Sequence, residues 1–170
     1  DVYKRQGLNV EIINVISNIS TKLKTRTFLV GGYVRDLLLG RKSKDIDVLV
    51  IGDGISFASE VKKKLGSKAN LQIFKNFGTA MIAYNDLEIE FVGSRKESYQ
   101  KSSRNPVVSI GTFEDDISRR DFTINSIAIS LNEYNKGNII DLFDGVHDLE
   151  KGIIKTPKDP KITFYDDPLR

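Results

Sequence analysis

The sequence predicts a mixed α/β domain, with strands and helices interleaved around one core. Three observations carry that expectation. Residues 8–23 and 56–65 place apolar side chains at steps of three and four, the period of a helix packed on one side. Residues 70–74, 79–84 and 87–92 alternate or run apolar between turn-forming residues, as strands do. Between these groups an apolar run ends at Gly31-Gly32 and passes at once into a helical pattern, which reads as a strand-to-helix turn. At 170 residues the chain suits one domain with a real core.

In chain order, the first helix turns Ile12, Val15, Ile16, Ile19 and Leu23 inward. Thr27 to Val30 is a short strand, and Val34, Leu37 and Leu38 recur at helical spacing before Gly40 at the C-cap. Asp45-Ile46-Asp47 then leads into the apolar run Val48 to Ile51. The helix at 56–65 faces Phe57, Ala58, Val61 and Leu65 inward and Lys62-Lys63-Lys64 to solvent, and Gly66 ends it. Asn85-Asp86 joins two of the later strands as a tight hairpin turn. Residues 94–111, rich in Arg, Lys, Ser and Asn, read as one long loop. Glu114-Asp115-Asp116 suits a helix N-terminus, and 123–129 reads as a second helical run. Ile139-Ile140 is a short strand, and 146–151 forms a helical turn around Gly145. Residues 156–160 are a loop, and a helix starts at 164–168 with Asp166 or Asp167 as N-cap.

Composition narrows the chemistry. There is no cysteine, which removes disulfides, thiolate metal sites and thiol nucleophiles. The single histidine, His147, reads as an exposed loop residue, so any catalytic metal is expected to be oxygen-ligated. A net charge of +3 is too mild to argue nucleic-acid binding without a local patch. No apolar run approaches the ~18 residues of a membrane span, and no signal-peptide pattern appears, so the cytoplasm is the default expectation. Residues 1–7 lack periodicity and read as a non-native or disordered leader. A dinucleotide-binding oxidoreductase is excluded because no G-x-G-x-x-G follows the first strand, and a P-loop enzyme because G-K-[ST] is missing.

The central stretch concentrates the functional signal. Glycines opening a helix let backbone N–H groups approach an anion, and the bland alternative is a tight turn and nothing more. Asp45 and Asp47 share one face of a strand, where two carboxylates are either solvated or held by a divalent cation. Glu90 stands on an alternating strand beside Glu88, as a third carboxylate or as a solvent-facing edge residue. Arg119-Arg120 ahead of an apolar run needs partners, either acidic neighbours or a polyphosphate.

Five segments in order carry a resemblance: Gly31-Gly32-Tyr-Val-Arg35-Asp36, Asp45-Ile-Asp47, Arg119-Arg120-Asp121-Phe-Thr-Ile-Asn125, Asp141-Leu-Phe-Asp-Gly145 with Asp148-Leu149, and Asp166-Asp167-Pro-Leu-Arg170. Together they resemble the catalytic head of the class II tRNA nucleotidyltransferase and bacterial poly(A) polymerase family, within the polymerase-β-like nucleotidyltransferase superfamily. The resemblance implies a palm domain over residues 8–170, a mixed sheet flanked by helices, cut at the start of the neck helix, with the family's body and tail absent. It implies two Mg2+ ions held by Asp45, Asp47 and Glu90, the last followed by Arg95 as in related sequences. Gly31 and Gly32 would face the triphosphate, with Arg35 near it or bracing Asp36. Arg119, Arg120 and Asp121 would handle phosphates and ribose, with Asn125 in the same pocket.

In the family the last segment selects the base, so Asp167 and Arg170 would read C and A by the amino group and ring acceptor these bases share. The family usually has Glu-Asp where this chain has Asp166-Asp167. The implied activity is addition of CMP and AMP from CTP and ATP to a tRNA 3′ end. Poly(A) polymerase, CC-only or A-only addition shares the same motifs, and a non-catalytic RNA- or nucleotide-binding module is the alternative outside enzymes.

Overall fold

The computed structural model describes residues 10–98, 107–110 and 112–169, so the leader expectation and Arg170 lie outside the described residues. In chain order the elements are α1 (Val10–Lys22), β1 (Thr27–Leu29), α2 (Gly31–Leu38), β2 (Asp45–Val50), α3 (Gly54–Leu65), β3 (Ala69–Phe74), β4 (Thr79–Tyr84), β5 (Leu87–Gly93), β6 (Arg95–Ser98), β7 (Val107–Ile110), α4 (Phe113–Ser118), β8 (Ala128–Ser130), β9 (Ile139–Ile140), α5 (Gly145–Lys151) and α6 (Pro160–Asp166).

Seven strands form one mixed sheet in the order β3-β4-β5-β2-β1-β8-β9. Only β2 and β5 run parallel, with Asp45 opposite Glu88 and Asp47 opposite Glu90. The alternation expected for these strands explains what each face carries. Ile46, Val48, Ile89, Phe91, Ala80 and Ile82 are buried on one face beneath α1 and α3, where Ile12, Ile16, Phe57 and Val61 meet them. Each Val, Ile or Phe among them contributes roughly 1.5–3 kcal/mol by leaving water. On the other face a smaller cluster joins Phe28, Leu49 and Ala128 to Phe113 and Ile117 of α4. The Phe28 and Phe113 rings lie 4.4 Å apart between centroids. Thr112 and Asp115 close a reciprocal capping box that starts α4 beside the site.

Four sequence expectations are corrected. The expected loop at 94–111 contains paired strands, with Arg95 opposite Ile110 and Ser98 opposite Val107. The expected helix at 123–129 is only a 3-10 turn at Thr123–Asn125, followed by β8. Residues Ser126 to Asn132 are all buried, and β8 sits between β1 and β9; a short apolar run covered on both faces shows no period that separates strand from helix. The expected loop ending at residue 160 gives way to a helix that precedes the expected one, because Asp159 caps Lys161 N–H and Pro160 occupies the first turn of α6. Asp167 is therefore the C-cap of α6, although its carboxylate also accepts from Leu169 N–H at 3.1 Å, as an N-cap would. His147 lies on α5 rather than in a loop, and it is exposed as expected. Among the described residues no helix is long and apolar enough to cross a membrane.

Candidate active site

β1 delivers the chain to Gly31, whose φ of +71° is the left-handed region that glycine enters without strain. A Cβ there would come within 3.3 Å of both Arg120 Nη1 and Asp47 Oδ2, so side-chain loss is what lets these groups gather. Val30 caps α2 without any side-chain hydrogen bond. The first N–H groups of the helix therefore rely on solvent or an anion. They open on a cleft of about 610 Å³ lined by Gly31, Gly32, Arg35, Asp47, Arg119, Arg120, Asp121 and Asn125, together with Val92 and Asp116.

Charge is concentrated where β2 meets this cleft. Asp47 is half-buried, and burial together with the neighbouring Glu90 and Asp45 carboxylates pushes its pKa up, while the Arg120 guanidinium pulls it down. Asp45 is exposed on the same face. Among the described residues no three acidic or histidine side chains form a ready metal cage. Arg120 donates from Nη2 to Asp116 at 3.1 Å, while its buried Nε has no partner. An unpaired buried donor on the wall of a cleft is a costly feature that an incoming oxyanion would relieve.

Arg35 lines the cleft and also braces its wall. It donates to Asp36 at 3.1 Å and to Asn125 Oδ1 at 3.0 Å, and Asn125 passes the link to Asp121 Oδ1 at 2.9 Å. Asp121 Oδ1 also accepts from Phe122 N–H. Arg119 lines the mouth, with Nε donating to the Asp115 carbonyl. Asp167 is not among the cleft-lining residues.

Two contributions went unread in the sequence. Asp116 is the partner of Arg120, and its signal was present as an i, i+4 acid–base pair. The segment from Asp141 to Asp148 buttresses the site from behind. The Asp141 carboxylate accepts from Gly145 and Val146 N–H, and Thr123 donates to buried Asp148 at 2.6 Å. That bond holds the Asp148 carboxyl below its usual range. It seats α5 against the 3-10 turn that carries Asn125.

Removing Arg120 should raise the Asp47 pKa further, since its guanidinium is the one neighbour that favours the ionised form. In an Arg120→Gln variant, any step needing ionised Asp47 should show its acid limb at higher pH than wild type. A pH–rate profile checks this, and an unmoved limb would remove Arg120 from the electrostatics of Asp47.

A mixed sheet with a glycine-opened helix beside paired carboxylates is the arrangement of a polymerase-β-like nucleotidyltransferase palm. Comparison with known proteins gives the family. Residues 27–155 match the family model described as the poly A polymerase head domain, and the chain belongs to that family. It is 39% identical over 145 residues to the A-adding tRNA nucleotidyltransferase of Aquifex aeolicus (strain VF5), covering 85% of this chain and 17% of the relative. A solved structure of a CCA-adding enzyme with CTP superposes with a TM-score of 0.81 at 30% identity, covering 98% of this chain and 36% of that one. A tRNA nucleotidyltransferase solved with a primer tRNA and an incoming ATP analog gives a TM-score of 0.76 at 33% identity, covering 91% of this chain and 41% of that one. The chain thus spans well under half the length of these proteins.

Proposed function

We propose that the chain is the catalytic head of a template-independent RNA nucleotidyltransferase that adds CMP and AMP from CTP and ATP to the 3′ end of tRNA. The observation that carries this is the single cleft in which the open N-terminus of α2, Arg120 and the β2 carboxylate converge. The α2 amides and Arg120 would bind the triphosphate, and Arg119 at the mouth would add charge. Both hydrogen bonds recorded for Asp121 fall on Oδ1, which orients the carboxylate to accept a ribose 2′-hydroxyl through Oδ2. Asn125 and Arg35 would hold that orientation. Asp167, the C-cap of α6, and Arg170 would read the base.

The residues present fit magnesium. The donors are all oxygen, and mutual repulsion at Asp47 is what a cation would relieve. Asp45, Asp47 and Glu90 would hold two Mg2+ ions, with nucleotide phosphates completing the coordination. When bound, such ions activate an RNA 3′-hydroxyl and steady the departing pyrophosphate. The chain's own work is positioning and charge neutralisation. The cytoplasm is the proposed location.

A-addition alone is a second reading, favoured by the 39% identity to an A-adding enzyme. The deciding assay gives the full-length protein magnesium, tRNA ending before CCA or after CC, and each NTP singly and together. Addition of CCA followed by a stop supports the first reading. Extension only of the CC-ended tRNA supports A-addition, and long A tails indicate poly(A) polymerase. No incorporation by a folded protein would leave a binding module.

A further inference from the structure

Among the described residues, no helix covers the carboxylate-bearing sheet face where it continues past β5. Strand register places Asp47, Glu90, Met81 and Gln72 in one row across four strands, and Val92, Thr79 and Phe74 in the next. On β4 the two faces differ sharply: Ala80 and Ile82 are fully buried, whereas Thr79 and Met81 are half-exposed. On β3 the outward residues Asn70, Gln72 and Phe74 are exposed. At the turn joining β3 to β4, Phe77 is 74% exposed, and a groove of about 390 Å³ is lined by Ile73, Phe74, Lys75, Asn76 and Phe77.

We propose that this open face and its hairpin tip seat the single-stranded 3′ end of the RNA primer, with Phe77 and Phe74 as stacking surfaces for its bases. The inference rests on the function proposed above and assigns the other substrate of the same site. The triphosphate cleft is lined mainly by α2, α4 and the turn after it, and reaches β5 at Val92. In phosphoryl transfer the attacking and leaving oxygens stand roughly in line, so the attacking hydroxyl comes from the side opposite the leaving pyrophosphate. Across the carboxylate row and past Val92, that side leads over β4 to β3. An exposed aromatic pair flanking a lysine suits a single strand, because every base has a face to stack and the backbone carries negative charge. No sequence preference follows from stacking, as befits a primer read by its end.

The test uses the full-length protein with a short tRNA-like primer and CTP or ATP. Phe77→Ala and the Phe74→Ala/Phe77→Ala pair should raise the primer KM by about 10-fold or more. The nucleotide KM and kcat should stay within about twofold, and Phe77→Trp should restore primer binding. Fluorescence anisotropy of labelled single-stranded RNA should show the same loss without any chemistry. An unchanged primer KM in a variant that still incorporates nucleotide overturns the proposal and leaves the proposed function standing. Equal loss for primer and nucleotide overturns it too, since that marks general damage. A wild-type protein that incorporates nothing overturns both.

Discussion

Replacing Asp47 with asparagine, alone or with Asp45→Ala, is expected to lower nucleotide incorporation by about 10³-fold or more, the scale seen when a preorganised charge-stabilising group is lost. The same change should make the fold slightly more stable at neutral pH. Burial and two neighbouring carboxylates raise the native pKa of Asp47 above its unfolded value near ~3.9. Below that unfolded value both states hold the proton, and Asp47 costs nothing. As pH rises from there to the native pKa, the unfolded chain ionises first and stability falls. Above the native pKa the penalty is constant, so the variant's advantage should appear between these two values and persist above them. Thermal melts across that range, with an activity assay, check both halves. Magnesium with CTP should raise the wild-type Tm and leave the Asp45→Ala/Asp47→Ala pair unmoved. A variant that loses activity because it unfolds would contradict this account.

The second large effect lies outside the cleft. Gly145→Ala should destabilise the fold by about 3 kcal/mol, the upper part of the range for forcing atoms into a packed site. A Cβ at Gly145 would sit 2.1 Å from the Thr123 carbonyl oxygen and 2.9 Å from Ile127 Cγ1, and a backbone carbonyl cannot swing aside as a long side chain can. Relief requires α5 to lift from the turn at Thr123–Asn125, breaking the Thr123–Asp148 bond. A fall in Tm of roughly 6–12 °C is expected for a chain of this size. Nucleotide affinity should drop as well, because that turn carries Asn125 and follows Asp121. A variant melting with wild type would show that α5 is not wedged there.

What the sequence made legible was local. Gly31-Gly32 and Asp45-Ile-Asp47 are short patterns whose geometry follows from their own spacing, and the structure places Gly31 and Asp47 within one cleft. The hairpin at Asn85-Asp86 was readable for the same reason, with Asn85 at a φ of +53° as a tight turn requires. What escaped was contact between distant segments. Arg35 meets Asn125 across 90 positions, and no periodicity announces such a pair. The buttress from Asp141 to Asp148 matched a family pattern, yet its physical duty became clear only once Gly145 was seen against Thr123. Residues 127–129 read as helix because full burial erases the alternation that marks a half-exposed strand. Asp159-Pro160 is a sound helix opening, but the prolines at 157 and 160 equally suit a loop, and only the Asp159 cap on Lys161 N–H distinguishes the two.

The parallel pairing of β2 with β5 also sets which genetic changes this domain can survive. Shifting β5 by one residue against β2 would bring Ile89 or Phe91 opposite Asp47 and turn Glu90 toward the buried layer. Codon-length insertions or deletions within 87–93 should therefore be purged in any lineage that keeps the activity, even where single replacements persist. Length variation should instead collect at the turn of residues 85–86, upstream of the register that matters.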